Sequence, residues 1–226
     1  MVTVVTCPLN SEKKIHLRNV LAEQGLVVVP TDTVYGIGAI PTDAAAVDKL
    51  LRAKGRGRDY PSPVLIGDVG NVDDIAQDVS PAARVLMEKL WPGALTIVVS
   101  ARKDVGWDLG VTQGTVALRM PDHKALLTIL NDVGPLAVTS ANLHGQPPAT
   151  TVVQAVKAFG ELVDIYVDDG PSPGGRPSTI VRCDTHNQGG GIKVLREGAV
   201  SFAMIADCLG HDYARYMQGS VENVLR

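Results

Sequence analysis

Aromatic residues are scarce in this 226-residue chain: two Trp, five Tyr and two Phe, 4% in all. Proteins that bind single strands stack successive bases on aromatic platforms, so that class is disfavoured. Strong charge of either sign is also missing, with a formal net charge of -3 and a pI near 5.9. Bulk counter-ion release is then no driving force for nucleic-acid binding, and any basic site must be local. Cysteine is limited to Cys7, Cys183 and Cys208, far apart and without a Cys-x-x-Cys. An odd, scattered set excludes a disulfide scaffold and a cysteine zinc knuckle, and fits reduced thiols in a cytoplasmic protein. No apolar run approaches the roughly 18–20 residues of a membrane span. The N-terminus lacks the basic start and apolar stretch of a signal peptide. His16, His123, His144, His186 and His211 form no i, i+4 pair, so no zinc site built by the protein is expected.

What is present is an ordinary globular composition, 45% hydrophobic and 20% charged. The length suits one largish α/β domain with a short tail. Apolar positions predict helices over 11–24, from Thr42 to Gly55, from Ser80 to Leu90, from Asp122 through Leu130, from Thr150 to Phe159 and from Ser201 onward. Short apolar runs predict strands at 26–29, 64–66, 95–99, 116–120, 136–138, 165–167, 179–181 and 193–195. Helices and strands interleave irregularly, which favours a twisted mixed sheet over a strict doubly wound one. Residues 186–191 read as a turn between strands, and 210–226 as a tail or peripheral helix outside a catalytic unit spanning 1–209.

Four groups of residues carry candidate chemistry. Pro30-Thr31-Asp32-Thr33-Val34-Tyr35-Gly36-Ile37-Gly38 offers hydroxyls and free backbone N–H groups after a buried strand. It is neither a dinucleotide fingerprint nor a phosphate-binding P-loop. Arg52, Lys54, Arg56 and Arg58 are four cations within seven positions at a helix end. They read either as a solvated helix terminus or as a polyphosphate site, with glycines letting Lys54 and Arg56 converge. Thr139-Ser140-Ala141-Asn142 follows a buried strand, as an Asx turn or a ligand loop. The Gly-x-Ser-x-Gly nucleophile elbow is missing, since Val138 and Asn142 flank Ser140. Arg119, Ser178 and Arg196 sit in or beside apolar strands. A buried arginine needs either an acidic partner or a ligand.

Taken in order, Pro30–Gly36, Lys54-Gly55-Arg56, Leu118-Arg119-Met120-Pro121, Thr139–Asn142, Pro177-Ser178-Thr179-Ile180 and Leu195-Arg196-Glu197-Gly198 resemble the blocks of the YrdC/TsaC family of threonylcarbamoyl-AMP synthases. The resemblance covers about residues 10–205. The family's Lys-Arg-Ser-Asn tetrad matches Lys54, Arg56, Ser140 and Asn142. The sequence departs from the family where Gly57 to Tyr60 precede Pro61, and its length leaves no room for the second domain of longer members.

The resemblance implies a twisted mixed α/β sheet around a large concave cavity. It implies synthesis of threonylcarbamoyl-AMP and pyrophosphate from L-threonine, bicarbonate and ATP, with Mg²⁺ accompanying ATP and no metal ligands from the protein. The product feeds N6-threonylcarbamoyladenosine formation in tRNA through a partner transferase complex, with direct tRNA binding weak at most. Lys54 and Arg56 would be catalytic. Thr31, Thr33, Tyr35, Arg119, Thr139, Ser140 and Ser178 would hold threonine. Lys54, Arg56, Thr115, Ser140, Asn142, Thr150 and Arg196 would hold ATP. Two alternatives stand beside this reading: a non-catalytic RNA-binding or ribosome-assembly module, supported by the basic run, and a carbamoyl transferase of the hydrogenase-maturation type.

Overall fold

The computed structural model describes residues 2–184 and 191–212. The elements in chain order are β1 (Val4–Thr6), α1 (Ser11–Ala22), β2 (Val27–Val29), β3 (Gly36–Ala39), α2 (Ala44–Ala53), β4 (Val64–Leu65), α3 (Asn71–Ile75), α4 (Pro81–Leu90), β5 (Leu95–Ser100), β6 (Thr115–Arg119), α5 (Lys124–Val133), β7 (Leu136–Ser140), α6 (Val152–Phe159), β8 (Ile165–Asp168), β9 (Thr179–Asp184), β10 (Gly191–Arg196) and α7 (Phe202–Leu209). The strands join in one sheet, ordered β1-β8-β2-β3-β7-β4-β6-β5-β9-β10. β1/β8, β2/β8, β4/β6 and β5/β9 pair parallel; the other neighbours pair antiparallel. The sheet is therefore mixed, as the irregular interleaving predicts.

Successive strand residues point to opposite faces, and β2 shows the result. Val28 joins one core with residues of α2, α4, α6 and α7, while Val27 and Val29 join a second core with Leu17 and Leu21 of α1 and Leu126, Ile129 and Leu130 of α5. Helices cover both faces, which is why this strand is apolar without alternation.

Helix starts follow side-chain capping. The predicted Ser80-Pro81 start is present, with Ser80 Oγ accepting from the Ala83 N–H. Two expected caps shift by one residue. Asp43, not Thr42, caps α2 by accepting from the N–H groups of Ala45 and Ala46 at 2.8 and 3.2 Å. His123, not Asp122, caps α5 through Nδ1. Of the predicted turn, residues 186–190 lie outside the described residues, and Gly191 begins β10. Of the predicted tail, 213–226 lie outside them; 210–212 form a short 3-10 turn.

β1, β3 and α3 escape sequence reading because they are short or glycine-bearing. β3 contains Gly36 and Gly38, residues of low strand preference, yet it pairs with both β2 and β7. Close approach explains the glycines: a Cβ on Gly36 would lie 2.5 Å from Val138 Cγ1, and one on Gly38 2.8 Å from Val138 Cγ2. Gly36→Ala should lower the unfolding free energy by about 1–3 kcal/mol through overpacking. Adding Val138→Ala should recover part of that loss. Denaturant unfolding of the three variants checks this, and an undiminished midpoint for the single variant would count against it.

Candidate active site

The site begins at the end of α2. Gly55, at φ +65°, follows the C-cap Lys54. The Gly55 N–H donates to Arg52 O at 2.9 Å and the Arg56 N–H to Leu51 O at 3.0 Å. This is a Schellman motif, which ends the helix and satisfies its last carbonyls. It turns the chain so that Lys54 and Arg56 separate. Lys54 is fully buried, while Arg56 emerges half-buried into a cleft.

The Lys54 ammonium donates to Ser140 O and, at 3.1 Å, to Asn142 Oδ1. Asn142 Oδ1 also accepts from Ser140 Oγ at 2.6 Å, and its Nδ2 donates to the carbonyls of Leu143 and Gln146. Three of the four tetrad positions, Lys54, Ser140 and Asn142, are thus joined directly with Asn142 as the hub, while Arg56 stands beside them and bonds His144 instead. No carboxylate offsets the Lys54 charge in these contacts. Burial, with the nearby Arg56 second, pushes its pKa down to about 7.

Arg119 and Arg196 approach the same cleft. Arg119 donates through Nη2 to Asp32 at 2.5 Å, through Nη1 to Thr33 Oγ1 at 3.1 Å and through Nε to Gly93 O at 2.9 Å. Of the two alternatives for a buried arginine, the acidic partner is realised. Arg196 caps Ser178 O through Nε and Nη2. Burial lowers the pKa of all three guanidinium groups, and for Arg196 the charges of Arg56 and Arg119 add to that. A guanidinium stays protonated regardless, so an anion in the cleft would meet favourable charge, above all beside Arg56 and Arg196.

The cleft is half open to solvent, with a cavity volume of about 80 Å³, below the ~300–1,000 Å³ of a closed small-molecule pocket. Pro63 and Leu65, at the two-residue β4 between β7 and β6, are among the residues that line it. Thr31, Thr33, Thr139, Ser140 and Ser178 supply hydroxyls, and Arg56, Arg119 and Arg196 supply charge; none of the described lining residues is acidic. Thr31 Oγ1 and Thr33 Oγ1 are 3.0 Å apart, and Thr96 and Ser178 hydroxyls 2.9 Å apart. These pairs are preset in a buried wall.

Several predicted residues fall elsewhere. Thr139 and Ser140 belong to β7 rather than to a loop, because Gly36 and Ile37 pair with them. Tyr35 borders the cleft, but its ring is buried in the main core and its hydroxyl donates to Gly170 O at 2.7 Å. Thr115 and Thr150 are not brought to the cleft. Thr115 donates to Thr112 O beside a separate groove, and Thr150 bonds Gln154. Sequence reasoning gave no role to Asp32 or Thr96. Asp32 lies inside the candidate segment 30–38, and a polar Thr96 in an apolar strand is the available signal.

The basic run is not one solvated face. Lys54 is buried, Arg56 enters the cleft, and Arg58 pairs with Asp48 and Asp108. Ser140 Oγ donates to Asn142 rather than to a histidine, so it lacks the base of a hydrolytic triad. Among the described residues no cluster of His, Cys, Asp or Glu is placed to hold a metal, and no helix is long and apolar enough to cross a membrane.

The mixed α/β sheet thus holds a hydroxyl-lined, cation-rich cleft whose charge suits an anionic small molecule. The profile of the Sua5/YciO/YrdC family, described as telomere recombination, matches residues 19–198, and the chain belongs to this family. It is 49% identical over 185 residues to a putative threonylcarbamoyl-AMP synthase of Mycobacterium leprae, covering 82% of each chain. It is 39% identical to the threonylcarbamoyl-AMP synthase of Bacillus subtilis over 72% of this chain, spanning 48% of that protein. The crystal structure of Pyrococcus abyssi Sua5 complexed with L-threonine superposes with a TM-score of 0.84 at 29% identity, covering 93% of this chain and 61% of that one.

Proposed function

We propose that the chain is a threonylcarbamoyl-AMP synthase, a nucleotidyltransferase acting on L-threonine, bicarbonate and ATP, with residues 1–209 as its catalytic unit. The carrying observation is the convergence of Arg56, Arg119 and Arg196 with Thr31, Thr33 and Ser178 on a cleft whose described lining has no acid. The relatives named above support the choice of substrates.

In this reading the threonine amine attacks CO2 released from bicarbonate and loses a proton to give a carbamate; if it attacks bicarbonate itself, the C–OH bond also breaks and the hydroxyl leaves as water with that proton. A carbamate oxygen then attacks the α-phosphorus of ATP. The bond to the β-phosphate oxygen breaks, and pyrophosphate leaves. The protein's contribution is orientation and charge neutralisation. Arg56 and Arg196 hold the triphosphate. Lys54 contributes charge from behind Ser140 and orients Ser140 and Asn142. Arg119, fixed by Asp32, faces the threonine carboxylate, and the Thr31, Thr33, Thr139 and Ser178 side chains read its polar groups. Gly36 and the edge of Tyr35 bound the space for its methyl. Thr115 and Thr150 are given no role. Asp32 is engaged by Arg119 and the described lining is not acidic, so in this reading Mg²⁺ enters as part of the Mg·ATP substrate. The labile product passes to a tRNA-modifying transferase.

The test is pyrophosphate release from ATP, Mg²⁺ and bicarbonate with and without threonine. Threonine-dependent release together with a threonylcarbamoyl-AMP product is expected. No threonine dependence, with salt-sensitive RNA binding instead, would sink the reading in favour of an RNA module. Arg119→Ala should raise the KM for threonine by about 10²-fold, the loss expected for a charge-assisted contact of ~2–3 kcal/mol. The KM for ATP should change far less. Equal effects on both substrates would argue against the assignment.

A further inference from the structure

We propose that His144 is a positioning residue that orients the Arg56 guanidinium, a role that rests on the synthase reading. His144 Nδ1 accepts from Arg56 Nε at 3.1 Å. The Tyr60 ring lies 5.7 Å from Arg56 Cζ, within cation–π range, and its centroid is 5.4 Å from that of His144 at 53°. The His144 N–H also donates to Lys54 O at 3.0 Å, tying this loop to the end of α2. Imidazole and phenol therefore bracket the guanidinium. The bracket occupies Nε, and Nη1 and Nη2 make no hydrogen bond to any described residue, so they are available to an anion in the cleft.

An Nδ1 that accepts carries no proton, so the neutral ring holds its hydrogen on Nε2. An arginine side chain has about 2 kcal/mol of rotamer entropy to lose on binding. Fixing it beforehand removes part of that loss from the binding step. His144 and Tyr60 are both exposed, so this bracket is not core packing, and variants there should fold.

Three variants separate the mechanism from simple spacing. His144→Phe keeps a ring against Tyr60 and loses the acceptor. His144→Asn puts Oδ1 where Nδ1 stood. His144→Gln puts its carbonyl one carbon further out. Steady-state kinetics with ATP and threonine varied separately, and calorimetric ATP binding, should show His144→Phe weakening ATP binding and raising its KM about tenfold, as for loss of ~1.4 kcal/mol. Threonine KM should stay within about twofold. His144→Asn should recover to within about threefold of the parent, and His144→Gln should resemble Phe. Parental ATP affinity in His144→Phe, or equal impairment of Phe and Asn, would overturn the proposal. The synthase reading fails separately, if the parent protein binds ATP but releases no threonine-dependent pyrophosphate; the ranking of ATP affinities then still decides the role of His144. A parent that does not bind ATP would overturn both.

Discussion

Arg56→Ala is expected to reduce threonine-dependent pyrophosphate release by about 10²–10³-fold, the scale for removing a preorganised donor from developing charge. Arg56 enters the cleft half-buried and has no acidic partner among its contacts. Its removal therefore orphans no carboxylate, and it relieves repulsion with Lys54 and Arg196. Thermal unfolding should stay cooperative, with the midpoint within a few degrees of the parent. Arg56→Lys should recover little, because a point charge lacks the planar fork that takes two phosphate oxygens together. Single-turnover assays beside thermal melts check this. Near-normal turnover in a folded Arg56→Ala protein would remove Arg56 from the phosphate role.

Lys54→Met should lower activity by a similar factor while making the protein more stable, and the gain should depend on pH. The Lys54 pKa falls from 10.5 to about 7 on folding. Between those values the folded state binds fewer protons than the unfolded state, so stability rises with pH across that window. Below about pH 7 the cost of burying the ammonium is fully present; near pH 10.5 it has gone. A shift of this size corresponds to several kcal/mol. Loss of the ammonium leaves Ser140 O without that donor, which offsets about 1–3 kcal/mol. The net gain at pH 6 should be about 1–3 kcal/mol, or a few degrees in midpoint, shrinking toward zero or below by pH 10. A pH-independent difference between the two proteins would contradict the buried-charge account. A stable but inactive variant would mark Lys54 as a strained group kept for function.

Much of the fold was legible in the sequence because apolar runs and caps are local signals. Ser80-Pro81, Ser201 and the valines of β2 each announce their element. β3 was not legible, since its glycines answer to Val138, a residue a hundred positions away in the chain. The caps at Asp43 and His123 were misplaced by one residue because neighbouring Thr42 and Asp122 carry equally good acceptors. The tetrad and the three cleft arginines were legible as motifs. Which of them meet solvent was not. The Schellman turn decides that Lys54 goes inward and Arg56 outward, and only packing reveals it. The partners Asp32 and Thr96 were hidden for the same reason, as their roles exist only across the sheet.

The wall of the cleft comes together from far-separated parts of the chain. Lys54 and Arg56 reach residues 88 positions on, and Arg119 reaches one 87 positions back. No fragment shorter than Thr31 to Arg196 contains the site, so an unfolded or half-folded chain has nothing with which to hold substrate. Ligand binding is then coupled to the folding of the entire sheet. A bound nucleotide at a hundred times its Kd would add about 2.7 kcal/mol to global stability, slowing proteolysis of strands far from the cleft. In a cell, substrate supply would thereby set the lifetime of the protein as well as its rate.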